Sequence, residues 1–579
     1  MNSETKICQN CKNNFIIELD DFSFYEKIKV PLPTFCFECR TMRRIQFRNE
    51  RSLYHFTCGI CGKKGITMYH QNSSFPIYCI NCWYSDNWDP LSFGLKYDFS
   101  KSFFEQLKEL NQKVPRPNLF NRNCLNSEYS NIIGESKNLY LSFSVNNSEN
   151  IFFCKSIDRS KDVFDSLSLI NSNLCYENIR GENNYNSSFL ILCRNCIDSS
   201  FLFDCIDCQN CFCSVGLRNK KYVFNNIQLN EKEYKEKIKT FDFGSFRNIQ
   251  KTKEEFENIM KKFPRKYAQI IKSTSSTGDE LSNAKNAKMS FDAYNIENTK
   301  NIFRCYGSKD CYEGNNIADC ELIYEFSGGG ANNSYNLLFA NNGLKNLRNV
   351  FYSDFCASSS DLFGCTSLKS NQFCILNRQY TKEEYEELVP KIIKHMNDMP
   401  YIDSKGRIYK YGEFFPSELS PFCYNETIAQ EYFPLTKEQA LNQGYKWKDK
   451  EERNYEIDIY NKDIPDNIKD ITDDIIGKVI ECNHKGTCNQ QCTEAFKIIP
   501  EELQFYKRMN LPLPHLCPNC RHYERLAQRN PMKLWHRSCM CDKTTHIHQG
   551  KCQVEFETSY APERPEIIYC EKCYQQEVY

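Results

Sequence analysis

The sequence has no surplus of either charge: Lys+Arg and Asp+Glu both total 74, at a pI near 7. That balance excludes a uniformly basic nucleic-acid coat and a polyacidic tail. Long apolar runs are missing as well. No stretch approaches the ~18 uninterrupted apolar residues of a membrane span, and none follows Met1-Asn2-Ser3-Glu4-Thr5-Lys6. Neither a membrane helix nor a secretory signal is expected. No paired acid–base set stands out, so no catalytic residue is assigned. Cysteine, by contrast, is abundant, with 34 in 579 residues. Without an export signal these read as reduced thiols of a cytoplasmic protein, and their Cys-x-x-Cys spacings as metal ligands. A hydrophobic share of 40% with 14% aromatics excludes a disordered chain. The length suits about three to five domains.

Four Cys-x-x-Cys pairs open the chain, and in order they make two four-cysteine sites: Cys8, Cys11, Cys36, Cys39, then Cys58, Cys61, Cys79, Cys82. Soft thiolates in paired knuckles suit tetrahedral Zn²⁺. The carboxyl terminus repeats the plan at a shift of 481. Leu32-Pro33 then falls on Leu513-Pro514, Tyr25 on Tyr506, Asn49 on Asn530 and His55 on His536. The first C-terminal site reads as Cys488, Cys492, Cys517 and Cys520, with Cys482 and His484 as substitutes. The second reads as Cys539, Cys552, Cys570 and Cys573, because Cys61 to Cys79 and Cys552 to Cys570 share one spacing. Cys541, His546 and His548 lie between its first two ligands as competitors. Sites filled entirely by sulfur are closed and structural, so the expectation is about four structural zinc ions. His55 and His536 read as packing groups or supports of the metal site.

A helix is predicted to follow Cys36-x-x-Cys39, as in a treble clef. Arg40, Arg44 and Arg48 share one of its faces, and Arg521, Arg525 and Arg529 repeat the stripe. Guanidinium groups in a row suit phosphate, so RNA or DNA contact is one expectation. A protein-facing or salt-bridged surface is the other, since residues 1–90 hold only 11 Lys/Arg against 9 Asp/Glu.

The middle consists of short apolar runs bounded by Asn, Ser, Asp and Cys. Tyr140, Phe152 and Phe164 advance by 12, as do Phe189 and Phe201. This regularity suits a sandwich or a solenoid, and the recurrent Asn and small residues at corners favour a parallel β-solenoid with two strands in a coil of about 23 residues. A shift of 151 carries Ile151, Cys154 and Cys205 onto Ile302, Cys305 and Cys356, so the solenoid is duplicated. Each copy ends in a charged helix, with Asn230 or Thr381 as its N-cap. Cys193, Cys196, Cys205, Cys208, Cys211 and Cys213 follow the repeat and read as buried packing residues or a thiol ladder, with a zinc or iron–sulfur site as the alternative. Asp198, Asp204 and Asp207 are the candidates if the solenoid is an enzyme acting on a glycan or nucleotide.

Leu511-Pro512-Leu513-Pro514-His515-Leu516-Cys517-Pro518-Asn519-Cys520-Arg521 resembles a segment of large multi-zinc-ribbon proteins of candidate-phyla bacteria (Patescibacteria). So do the tail Phe556–Pro565 with Tyr569-Cys570-Glu571-Lys572-Cys573-Tyr574, and the stretch Tyr411 to Thr436. The resemblance spans most of the chain and implies no particular activity.

The expected fold is mostly β with small α+β zinc modules: duplicated treble-clef or zinc-ribbon pairs flank a duplicated parallel β-solenoid with helical excursions. The units are a twin zinc module (1–90), a linker or helix (91–122), solenoid copy one (123–229) and a helical segment with a flexible join (230–282). Solenoid copy two (283–379), a helix and irregular connection (380–480) and a second twin zinc module (481–579) complete the chain. The expected function is a zinc-binding scaffold that meets RNA, DNA or a protein partner through its arginine helices. A solenoid enzyme or a purely structural assembly module are the alternatives.

Overall fold

The computed structural model describes residues 3–328, 332–451, 454 and 456–579. Its bulk is parallel β-sheet in two stacks. In the first, each strand pairs with the strand 12 residues on. Leu139 lies beside Ile151, Ile151 beside Val163 and Val163 beside Cys175 on one side; Val145, Ile157 and Leu169 follow one another on the other side. The circuit of pairings closes where Tyr185–Arg194 meets both Asn173–Tyr176 and Ile179–Glu182. One turn is therefore 12 residues and contains both strands, about half the coil expected from sequence. Tyr140, Phe152 and Phe164 are stacked neighbours in register, so their spacing is the whole turn.

A turn this short must bend often, and it bends at every third residue. Asn147, Asn150, Phe153, Ser156, Arg159, Asp162 and Asp165 have φ between 47° and 64°. A left-handed φ costs most L-residues roughly 1–2 kcal/mol and Asn or Asp the least, which accounts for the Asn-rich corners. The residue after each bend points inward. Ile151, Cys154, Ile157, Ser160, Val163, Ser166, Leu169 and Ser172 are all at most 3% exposed.

Two ladders tie successive turns. Inside, the Cys154 N–H donates to Ser142 Oγ at 3.1 Å and the Ser166 N–H to Cys154 Sγ at 3.3 Å, while the Cys154 thiol donates to Phe152 O at 3.2 Å. Outside, Asn126 donates to Asn138 at 3.1 Å, Asn138 to Asn150 at 3.0 Å and Asn150 to Asp162 at 2.7 Å.

The second stack repeats this design, with Ala284 beside Ile296 and Thr299, Cys311 and Ile323 in register. It begins earlier than expected: Ile270–Ile271 pairs with Leu281–Ser282, and Thr274 bridges Lys285. Ser273-Thr274-Ser275-Ser276, read from sequence as a flexible join, thus belongs to its first turn. Both stacks finish alike. The last strand turns back antiparallel, Val223 against Gln228 and Cys374 against Gln379. A helix follows, Glu231–Lys239 or Lys382–Asp398, with Asn230 and Thr381 at the N-caps as the sequence predicts, each within a capping box.

A cysteine module covers each stack, and the pairing is crossed. One core joins Tyr25, Phe35 and Phe47 of the N-terminal module to Tyr324, Phe339 and Tyr352 of the second stack. Another joins Phe505, Tyr506 and Leu513 of the C-terminal module to Phe152, Phe164 and Tyr176 of the first. Among the described residues, no helix is long and apolar enough to cross a membrane.

Candidate metal centres and the arginine clasp

Each terminal module holds two copies of one local plan, an antiparallel hairpin followed by a cysteine pair that opens a helix. The hairpins are Glu4–Ile7 with Asn14–Ile17, Tyr54–Thr57 with Lys64–Thr67, Ile480–Glu481 with Ala495–Phe496, and Trp535–Ser538 with Glu555–Thr558. The helices are Phe37–Ile45, Ile80–Tyr84, Pro518–Ala527 and Glu571–Val578, with Cys36, Cys79, Cys517 and Cys570 at their N-caps. Free N–H groups at a helix start favour a thiolate there.

Four tetrads result: Cys8/Cys11/Cys36/Cys39, Cys58/Cys61/Cys79/Cys82, Cys482/Cys492/Cys517/Cys520 and Cys539/Cys552/Cys570/Cys573, each with its ligand atoms within 4.8 Å of one another. Neighbouring sulfurs stand 3.7 Å apart for Cys11 and Cys36, 3.8 Å for Cys61 and Cys79, and 4.0 Å for Cys492–Cys517 and Cys552–Cys570. Thiolates about 2.3 Å from a tetrahedral Zn²⁺ are about 3.8 Å from each other, so the tetrads fit the ion. None of these cysteines is in a disulfide. The N–H groups of Cys79, Cys517 and Cys570 point at the sulfurs of Cys58, Cys482 and Cys539 at 3.2–3.3 Å, which stabilises negative sulfur.

Cys482 replaces Cys488 in the third tetrad. Cys8 ends a strand and donates its N–H to Asn13 O; Cys482 does the same toward Glu494 O, at 2.9 and 2.7 Å. Nine residues separate Cys482 from Cys492, against two between Cys8 and Cys11. That longer loop leaves Cys488 at the rim, 3.7 Å from Cys520. The sequence assigned Cys488 with Cys482 as substitute; the structure groups Cys482 with the other three ligands and keeps Cys488 as near to Cys520 as Cys482 is. Cys541, His546 and His548 form a second group that shares Cys573 with the fourth tetrad.

The structure gives the arginine stripes partners inside the molecule. Arg40, Arg44, Arg48, Arg521 and Arg525 are at most 5% exposed, and Arg529 is half-buried. Arg40 reaches Glu313 at 2.9 Å, and Arg44 reaches Glu313 at 3.1 Å and Glu325 at 3.5 Å. Arg43, outside the expected stripe, bridges Glu325 and Glu413 at 2.8 and 2.9 Å. Burial works against the charge of Arg40 and Arg43, yet these carboxylates hold both guanidiniums above their ordinary value.

The second module mirrors the first. Arg521 pairs with Asp165 and donates to Tyr506 Oη at 3.0 Å, as Arg40 does to Tyr25 Oη at 3.1 Å; Arg525 meets Asp165 at 2.8 Å. Arg529 lies over the Tyr432 ring, 4.0 Å from its centroid. Arg48 donates to Glu50 at 2.7 Å, opening a buried chain through Lys155 (2.8 Å) and Glu431 (2.5 Å) to His522 (3.1 Å). This chain links the two modules through the first stack. A face offered to phosphate is thus occupied by carboxylates. Glu313, Glu325, Glu413 and Asp165 carried no sign of this role in the sequence, since the pairs span 269 to 370 residues.

Other expectations resolve simply. His55 is exposed, and the His536 ring is 62% exposed between Glu555 and Glu557, so neither packs. Asp198 and Asp207 accept ladder bonds from Asn186 and Asn195, while Asp204 is buried against Arg218. They do not converge. The thiols of Cys193, Cys196, Cys205, Cys208 and Cys211 donate to carbonyls two residues back at 3.3–3.5 Å, as interior serines do. A cleft of about 920 Å³ runs between the stacks, where Arg180 and Glu280 meet at 2.8 Å.

No family model matches the chain, and no curated protein matches it. Among solved structures it is similar to a "putative acetyltransferase" from Desulfovibrio desulfuricans G20, at 10% identity over 49% of this chain and 84% of that one. The TM-score is 0.10, which supports no inference about fold or activity.

Proposed function

We propose that the protein is a zinc-clipped scaffold, in which treble-clef pairs at both ends clamp a duplicated parallel β-solenoid. The observation that carries this reading is the arginine clasp. Helices opened by metal-binding cysteines insert their guanidinium groups into carboxylates of the stacks, so metal binding and assembly of the core are one event. The surface left for a macromolecular partner is the cleft. Arg159, Arg194 and Arg304 line it with Asn146, Asn147 and the stacked pair Tyr294/Tyr306, whose centroids are 4.3 Å apart. Stacked rings beside amides and guanidiniums suit an extended polar chain such as a nucleic-acid strand or a glycan.

Metal analysis of protein purified without added zinc, with its ultraviolet spectrum, tests both halves. The scaffold reading expects at least one zinc for each tetrad and loss of the folded core on chelation. A chain that stays fully folded without metal would overturn it. If a nucleic acid or glycan binds, Arg159→Ala with Arg194→Ala should weaken it without changing Tm, whereas Arg44→Ala should lower Tm.

A further inference from the structure

We infer that the fourth tetrad is half of a binuclear centre, so that this site holds two metal ions, not one, bridged by the Cys573 thiolate. Cys573 belongs to the fourth tetrad and also to a second group with Cys541, His546 and His548, all of whose ligand atoms lie within 4.8 Å of one another. Cys541 is fully buried. His546 Nδ1 stands 3.1 Å from its sulfur and His548 Nε2 stands 3.3 Å from it. Across a tetrahedral zinc, with Zn–S about 2.3 Å and Zn–N about 2.0 Å, sulfur and nitrogen are about 3.5 Å apart.

The remaining ring nitrogens are already engaged. His548 Nδ1 faces the Gly550 carbonyl at 2.8 Å, so it carries the proton and leaves Nε2 as a lone pair. His546 Nε2 faces Glu577 at 3.1 Å, and its side chain is 5% exposed. A carboxylate and a carbonyl behind metal-binding histidines are the usual means of fixing tautomer and ring direction. Glu577 lies one helical turn beyond Cys573, which puts ligand and support on one face of the helix. Lys543 pairs with the same carboxylate at 2.5 Å and holds the far side of the loop.

Charge favours the second ion. Four thiolates and one divalent ion leave −2; sharing Cys573 and adding Cys541, two neutral imidazoles and a second ion leaves −1. Between their first two ligands the first and second tetrads have no histidine and the third has His484 alone, so the pair His546 and His548 distinguishes this site.

The inference rests on zinc filling the four tetrads, and the experiment separates the two. Native mass spectrometry of the full chain after zinc loading should give five ions, and His546→Ala with His548→Ala should give four with the fold retained. A wild-type count of four would sink the binuclear centre and leave the clamp intact; a count below four would sink the clamp. Five ions in both proteins would place the extra ion elsewhere and also overturn the inference. Should the double variant fail to fold, His546→Cys keeps a ligand at that position and is expected to retain five. In cobalt(II)-loaded wild type, magnetic coupling across the shared sulfur should weaken the high-spin EPR signal relative to His548→Ala. Equal signal per cobalt in the two would mean that no bridge exists.

Discussion

Asn150 bends the chain and bonds along the stack. Its φ is 55°, and it donates to Asp162 while accepting from Asn138. Asn150→Ala should cost roughly 1–3 kcal/mol, and Asn150→Gly less, because only the former adds backbone strain to the lost bond; urea unfolding would show the difference. Cys154 illustrates the inward positions. Cys154→Ser keeps donor and acceptor and should change stability by less than about 1 kcal/mol. Cys154→Ala leaves the Ser166 N–H unanswered and should cost about 1–3 kcal/mol. The 12-residue advance was legible because large rings mark it. The three-residue period beneath it was not, since Ser, Cys and Asn fill many inward places and make no hydrophobic pattern.

Each clasp helix is short, and its arginines join it to a stack through charge. Removing one partner from a buried pair costs about 3–5 kcal/mol, since the other charge is stranded. Arg44→Ala should therefore lower Tm sharply, with Arg44→Lys intermediate because one ammonium cannot span Glu313 and Glu325. The spacing of the arginines was readable in the sequence, but their partners were not: pairing across hundreds of residues leaves no local trace.

In the mirrored clasp, Glu502 accepts from Tyr506 at 2.8 Å, while its other oxygen has no hydrogen-bond partner among the described residues. Burial pushes its carboxyl up from 4.5 to about 7, with Arg521 opposing and Asp165 adding to the rise. The folded state therefore binds this proton more tightly than the unfolded chain does. Its stabilisation is complete below pH 4.5 and is lost as the pH rises through 7. Glu502→Gln, which is neutral throughout, should flatten that stretch of the stability–pH curve by up to roughly 3 kcal/mol.

At the scale of the whole molecule, the crossed docking decides cohesion. Fragment 1–262 carries the N-terminal module and the first stack; fragment 263–579 carries the second stack and the C-terminal module. Each fragment holds the cover of the other's core. Split after the exposed Lys262 and co-expressed, the two should co-purify through a tag on either and separate only in denaturant. Clean separation in buffer would contradict crossed docking. The twin modules and the duplication were visible in the sequence as shifts of 481 and 151. Which module covers which stack was not, because a shift records likeness and says nothing about contact.

Crossing also sets a timetable for synthesis. Arg44 leaves the ribosome 269 residues before Glu313, a wait of about 13–54 s at roughly 5–20 residues per second. Through that interval Phe24 and Tyr25 of the nascent N-terminal module lack the second-stack rings that cover them in the finished fold, Tyr312 and Tyr324. The C-terminal module emerges to find its seat already built. On the zinc-clipped reading, a shortage of zinc would therefore strike first at the beginning of the chain, through premature aggregation of the first ninety residues, before the C-terminal module is made.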